Sequence, residues 1–188
     1  MEALLSACLG IGLSASCGFR VFVPLLAMSI AAAAGHLTLA PGFAWIGSGV
    51  ALAAFAVATL LEVAAYAIPW LDNALDTIAA PAAVVAGIMV TASVVGDMSP
   101  LLRWSLAVIA GGGAAGAVQS VTVATRAAST ATTGGLANPL ISTLELGGAV
   151  TASVLALLAP VAAVCALIIG LTLLACSLGR RGRSARHT

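Results

Sequence analysis

The chain reads as long apolar runs cut by short polar breaks. No formal charge occurs from Val21 to Leu61, from Trp104 to Thr125, or from Leu146 to Gly179. Roughly 20 apolar residues suffice to cross a bilayer, so each run is long enough for a span. The pattern predicts about six helical segments, near 3–35, 44–68, 75–95, 101–125, 139–158 and 160–178. The first is too long for one straight crossing at about 1.5 Å per residue. Its middle holds Gly18 and Pro24, which weaken and break helices. A first piece to about Phe19 and a second from Pro24 is therefore expected, either as one kinked helix or as two pieces.

The breaks have their own logic. Pro41-Gly42 marks a turn after the first segment. Trp45, Tyr66 and Trp70 suit an interfacial aromatic belt. Residues 71–76 read as a short polar connection, with Asp72 or Asn73 capping a helix in whose first turns Pro81 sits. Residues 96–100 form another loop. Gly111 to Gly116 is a small-residue run that lets helices approach closely in lipid. Asn138-Pro139 reads as a cap and first helical residue.

Composition sharpens this picture. Only 7% of residues are charged against 62% hydrophobic, where soluble domains carry about 25% charged residues. Lipid is therefore the expected solvent, and the bilayer the first partner; nucleic acid is not one. Glu2 stands where the basic region of a signal peptide belongs. Arg180, Arg181, Arg183 and Arg186 follow the last apolar run, which predicts a cytoplasmic C-terminus in a bacterial inner membrane. With six spans, the N-terminus would share that side. Cys8, Cys17, Cys165 and Cys176 lie singly in apolar segments and read as small hydrophobes. His36 reads as a solvated loop residue.

The buried charges are the candidate chemistry. The order arginine, glutamate, alanine-proline occurs twice, as Arg20, Glu62, Ala80-Pro81 and as Arg126, Glu145, Ala159-Pro160. Two three-helix halves, 1–97 and 98–178, would then be inverted repeats, with a basic tail at 179–188. Such repeats place sites near the midplane, where broken helices meet. The expected fold is an all-α integral membrane protein broken near Arg20 and before Pro139. Arg20 would pair with one of Glu62 and Glu145, and Arg126 with the other. Ser129, Thr130, Thr132 and Thr133, with Gly134 and Gly135, form either a non-helical lining or an ordinary cytoplasmic loop. Asn138 would open a helix whose positive end points back at them.

Intramembrane charges either line a path or lock a bundle. The leading reading is a transporter or channel for an ion or small polar solute, built as a homo-oligomer, with a pathway through Arg20, Glu62, Arg126, Ser129, Thr133, Asn138 and Glu145. The alternatives are a scaffold or accessory subunit whose charges are glue, and a lipid-handling protein. No catalytic template, metal set or cofactor motif is present, and the absence of lysine excludes a Ser-Lys dyad. The expectation is a protein that is not an enzyme.

At Gly18-Phe19-Arg20, Glu62, 126–130, 134–139 and Glu145, the chain resembles a bacterial family of small multi-pass membrane proteins, domain-of-unknown-function family 4126. The resemblance covers most of the chain. It implies the membrane class and says nothing of a substrate.

Overall fold

A computed structural model describes the backbone of residues 1–66 and 69–184, and the side chains of residues 1–66 and 77–177. The described residues are helical, with turns between. In chain order they form α1 (Glu2–Cys17), α2 (Phe22–Ala33), a 3₁₀ turn (Ala44–Gly47), α3 (Gly49–Ala65) and α4 (Pro69–Val94). Then come α5 (Pro100–Thr133), α6 (Asn138–Leu158) and α7 (Pro160–Ser184). Four helices are long and apolar enough to cross a membrane: α4 through Thr77–Val94, α5, α6, and α7 through Pro160–Ser177. The helices α1, α2 and α3 are apolar but shorter.

The break near Arg20 separates two helices that fold back on each other. Gly10 of α1 packs against Thr91 and Val94, at the C-terminal end of α4. Met28 of α2 returns to the same end, where its sulfur accepts a hydrogen bond from Ser93 Oγ at 3.3 Å. The chain therefore reverses between them, with its tip at residues 18–21. At about 1.5 Å per residue, α1 is about 24 Å long and α2 about 18 Å. Both fall short of a hydrocarbon core of about 30 Å, and the pair forms a helical hairpin. This resolves the alternative of one kinked helix.

Gly18 sits at the tip because nothing larger fits. A Cβ there would lie 2.6 Å from Val118 Cβ and 2.8 Å from the Gln119 backbone nitrogen of α5. Deeper in the bundle α1 is the central helix, packed against α4, α5, α6 and α7. Ser14 donates to the Gly87 carbonyl at 2.6 Å and shares a 2.8 Å hydrogen bond with Thr91. Gly111, in a π-helical stretch of α5 (Ala107–Gly112), meets the same two α4 residues. Small residues thus set the close packing, as lipid-solvated helices require.

Several boundaries differ from those expected. Helix α4 begins at Pro69, so the backbone of 71–76 is helical rather than a connection, and Pro81 is in the helix interior. The side chains of Trp70, Asp72, Asn73 and Asp76, and those of the tail arginines, lie outside the described residues. Helix α5 runs on to Thr133, so the hydroxyl-rich stretch is helical and only residues 134–137 turn. The local reason is that Gly134 and Gly135, at φ of 64° and 87°, take the left-handed conformation that stops a helix. Asn138 is the first residue of α6, whose N-cap position is Ala137.

Ala156 of α6 and Ala163 of α7 both flank Gly12 of α1. The start of α7 and the end of α6 therefore lie beside the C-terminal half of α1. The first expected segment is thus a hairpin of two short helices, followed by α3 to α7, of which α4 to α7 are long and apolar enough to cross a membrane.

Candidate functional site

The hairpin tip, α3, α5 and α6 converge on one group of charges. Its geometry follows from the turn at 134–137. Arg126 lies seven residues before Thr133, and Glu145 lies seven after Asn138. The two side chains therefore face each other at one height, about 10 Å from the turn. Arg126 Nε donates to Glu145 Oε1 at 3.0 Å and to Oε2 at 3.2 Å, and Arg126 Nη2 also contacts Oε2. This side-on fork is the stronger form of arginine–carboxylate pairing.

Arg20, at the hairpin tip, joins the same carboxylate. Its Nη2 lies 3.6 Å from Glu145 Oε2 and donates to the Ser142 carbonyl at 3.0 Å and to the Ser142 hydroxyl. Arg20 is 2% exposed and Glu145 6% exposed. Both guanidinium groups stack on one aromatic ring: Arg20 Cζ is 3.7 Å and Arg126 Cζ 4.4 Å from the centre of Tyr66. The ring face carries negative potential, so it stabilises two cations that would otherwise repel.

Glu62 does something else. Its two oxygens accept hydrogen bonds from the backbone nitrogens of Val21 at 2.8 Å and Phe22 at 3.1 Å. These are orphan donors at the start of α2, and a carboxylate there meets the positive end of the helix dipole. The expected one-to-one pairing of arginines with glutamates is therefore not what forms. Glu145 takes both arginines, and Glu62 caps the second limb of the hairpin.

Ser129, Thr133 and Asn138 lie between this group and the turn. Thr133 donates to the Ser129 carbonyl at 2.8 Å and accepts from the Ala137 nitrogen at 3.3 Å. Asn138 Nδ2 donates to Thr130 Oγ1 at 3.3 Å. Ser129 is buried on the same face of α5 as Arg126, one turn on. These hydroxyls close the end of a helical hairpin instead of lining an irregular loop.

Two residues of the cluster carry no obvious mark in the sequence. Tyr66, whose position suits an interfacial belt, is instead 8% exposed between the arginines. It is the only tyrosine and lies four residues after Glu62, one helical turn along the same face. Ser142 lies three before Glu145, again on the same face. Those spacings are the available signal.

Beside the cluster is a cleft of about 440 Å³ between α2, α3 and α4, bordered by Phe22, Leu61, Glu62, Tyr66 and Ala79. Its walls are apolar apart from Glu62 and Tyr66. A second hollow, about 400 Å³, runs along α1, α5, α6 and α7 and is almost wholly apolar. Phe19 lies over Gly148 at its upper end. Among the described residues no three metal-ligating side chains cluster.

Helices of this length and apolarity place the chain among integral membrane proteins. Within that class it belongs to the family described as domain of unknown function (DUF4126), whose model matches residues 7–180 and so takes in the hairpin and the whole charged group. Neither a curated protein nor a solved structure matches the chain.

Proposed function

We propose that the protein is a small membrane transporter or channel for an ion or small polar solute, with the charged group at the hairpin tip as its site. The observation that carries this reading is a helical hairpin whose tip brings Arg20 to Glu145 inside the bundle, beside a cleft that reaches Glu62 and Tyr66; in this reading the hairpin is re-entrant. A hairpin that enters and returns leaves helix ends inside the bilayer. Such ends persist only where protein or water satisfies them. Here Glu62 does so for α2.

In this reading the site is asymmetric. Glu145 lies about 10 Å from the start of α6 and about 20 Å from its end, so a solute would meet it about 5 Å off the middle of that helix, toward one face. The halves 1–97 and 98–178 would be related units of an inverted repeat, in which Glu62 and Glu145 hold equivalent places with different tasks. The basic tail at 179–188 would lie in the cytoplasm of an inner membrane, and small-residue faces would pair copies into a homo-oligomer. The protein would bind and pass its solute without chemical change.

The test is flux in liposomes holding purified protein, with potassium, protons, nitrate and formate each followed. Flux above empty liposomes, lost in Glu62→Gln at normal folded yield, supports the reading. A specific observation favours the scaffold alternative: Glu145 is buried against Arg126. Absence of flux for every solute, with the variants folded, would make the scaffold the better description.

A further inference from the structure

We infer that the apolar hollow along α1, α5, α6 and α7 holds one acyl chain of an anionic phospholipid from the surrounding bilayer. The inference stands apart from the transport reading, because it uses none of the side chains of the charged group.

The chemistry of the walls comes first. The hollow encloses about 400 Å³, and of its described lining only Thr151 is polar. Gly12, Ala15 and Phe19 border it at spacings of three and four, so its floor is one face of the hairpin's first limb. Water there would find almost no hydrogen-bond partner, and apolar hollows stay dry. Left unfilled, the walls would forgo dispersion contacts on that side. Helix α7 is a candidate span that hides little of itself inside the bundle, so hydrocarbon is what lies alongside.

Width decides between occupants. The α7 residues that border the hollow run from Ala163 to Leu174, about 17 Å along the helix. Spread over that length, its volume makes a channel about 5–6 Å across. A helix with its side chains is about 10–12 Å across and does not enter. A hydrocarbon chain does, because carbon atoms pack at about 3.5–4.0 Å and an extended chain needs little more width.

The charge of the chain complements one kind of headgroup. Leu174 borders the hollow, and α7 continues beyond it to Ser184 with arginines at positions 180, 181 and 183. They follow Leu174 by about 9–14 Å along the helix. A lipid whose chain lies in the hollow has its headgroup on that side. Basic residues just past a span attract anionic headgroups, so the lipid is anionic rather than zwitterionic.

The experiment uses the full chain in phosphatidylcholine liposomes holding a little phosphatidylglycerol with a diazirine in its acyl chain. After illumination, mass spectrometry locates the adducts. They are expected to concentrate on the α6 and α7 residues that border the hollow. The same diazirine carried on phosphatidylcholine should label them about fivefold less. Gly170→Phe should fill the hollow and lower that labelling about tenfold, because ring and chain cannot share a channel one chain wide. A Cβ at Gly170 meets nothing within 4 Å, so the variant keeps the fold. Gly147→Phe is the control: its Cβ is equally unopposed, it does not border the hollow, and labelling should persist. The inference is overturned if adducts spread evenly over the lipid-facing helices, if the headgroup makes no difference, or if Gly170→Phe labels as wild type does. Cys165, exposed on α7, reports a rival occupant. Oxidative joining of two copies through it, with the hollow unlabelled, would show that a second copy covers the hollow and would also sink the inference.

Discussion

Glu62 and Glu145 hold matching places in the order of the sequence and do different work in the fold. Glu145 is buried, stands on a long crossing helix, and is the shared counter-charge of two arginines. Glu62 is half-buried, stands on a shorter helix beside an open cleft, and gives its oxygens to backbone amides. An intramembrane carboxylate is thus not defined by its spacing to an arginine. It is defined by which unsatisfied donors the fold leaves nearest. At α6 the donors are guanidinium groups, because the turn at 134–137 sets Arg126 at the same height. At α3 they are α2 amides, because the hairpin ends there without another cap.

The contrast is tested most severely at Glu145. Glu145→Ala leaves two buried guanidinium groups with no shared carboxylate and should cost about 3–5 kcal/mol. Unfolding in micelles with a denaturant series measures this. A cost as small as that of the equivalent change at Glu62 would erase the distinction between the two glutamates. Gly18→Val comes next, because its side chain would collide with α5 backbone at the hairpin tip. Overpacking of this kind costs about 1–3 kcal/mol, read as a lower melting temperature and reduced folded yield.

Glu62→Gln should cost about 1–2 kcal/mol, since it keeps an acceptor for one amide but loses the charge at the helix dipole. Its signature should be local. Hydrogen exchange at Val21 and Phe22 should quicken while the α5–α6 hairpin stays protected. Uniform loosening of the whole bundle would instead show that Glu62 belongs to the same cooperative group as Glu145. The smallest effect is expected for Thr133→Val, which removes an exposed hydroxyl from the α5 end and should lower stability by about 0.5–1 kcal/mol. A loss comparable with that of Glu145→Ala would mean the turn is part of the charged site.

Much of this protein is legible in its amino-acid order. Uninterrupted apolar runs demand lipid, whatever the fold, because no charged surface can be assembled from so few charges. The helix break near Arg20 and the stop at Gly134-Gly135 follow from residues whose backbone chemistry is local. The intramembrane charges stand out because they are few. Helix ends are less legible where nothing local stops a helix. The run from Thr125 to Thr133 looks like a loop by composition, yet its hydroxyls bond carbonyls one turn back and stay helical, as Thr132 and Thr133 do.

Direction and partnership come from tertiary packing alone. A broken helix can go on or turn back, and the sequence at the break is the same in both cases. The contacts of Gly10 and Met28 with one end of α4 settle that it turns back. The same reversal carries Arg20 to Glu145, 125 positions away in the chain, and leaves Glu62 to the α2 amides. Tyr66 becomes the floor beneath two arginines for the same reason. Local chemistry says where a helix stops; only packing against distant helices says where the chain goes next and which charges then meet.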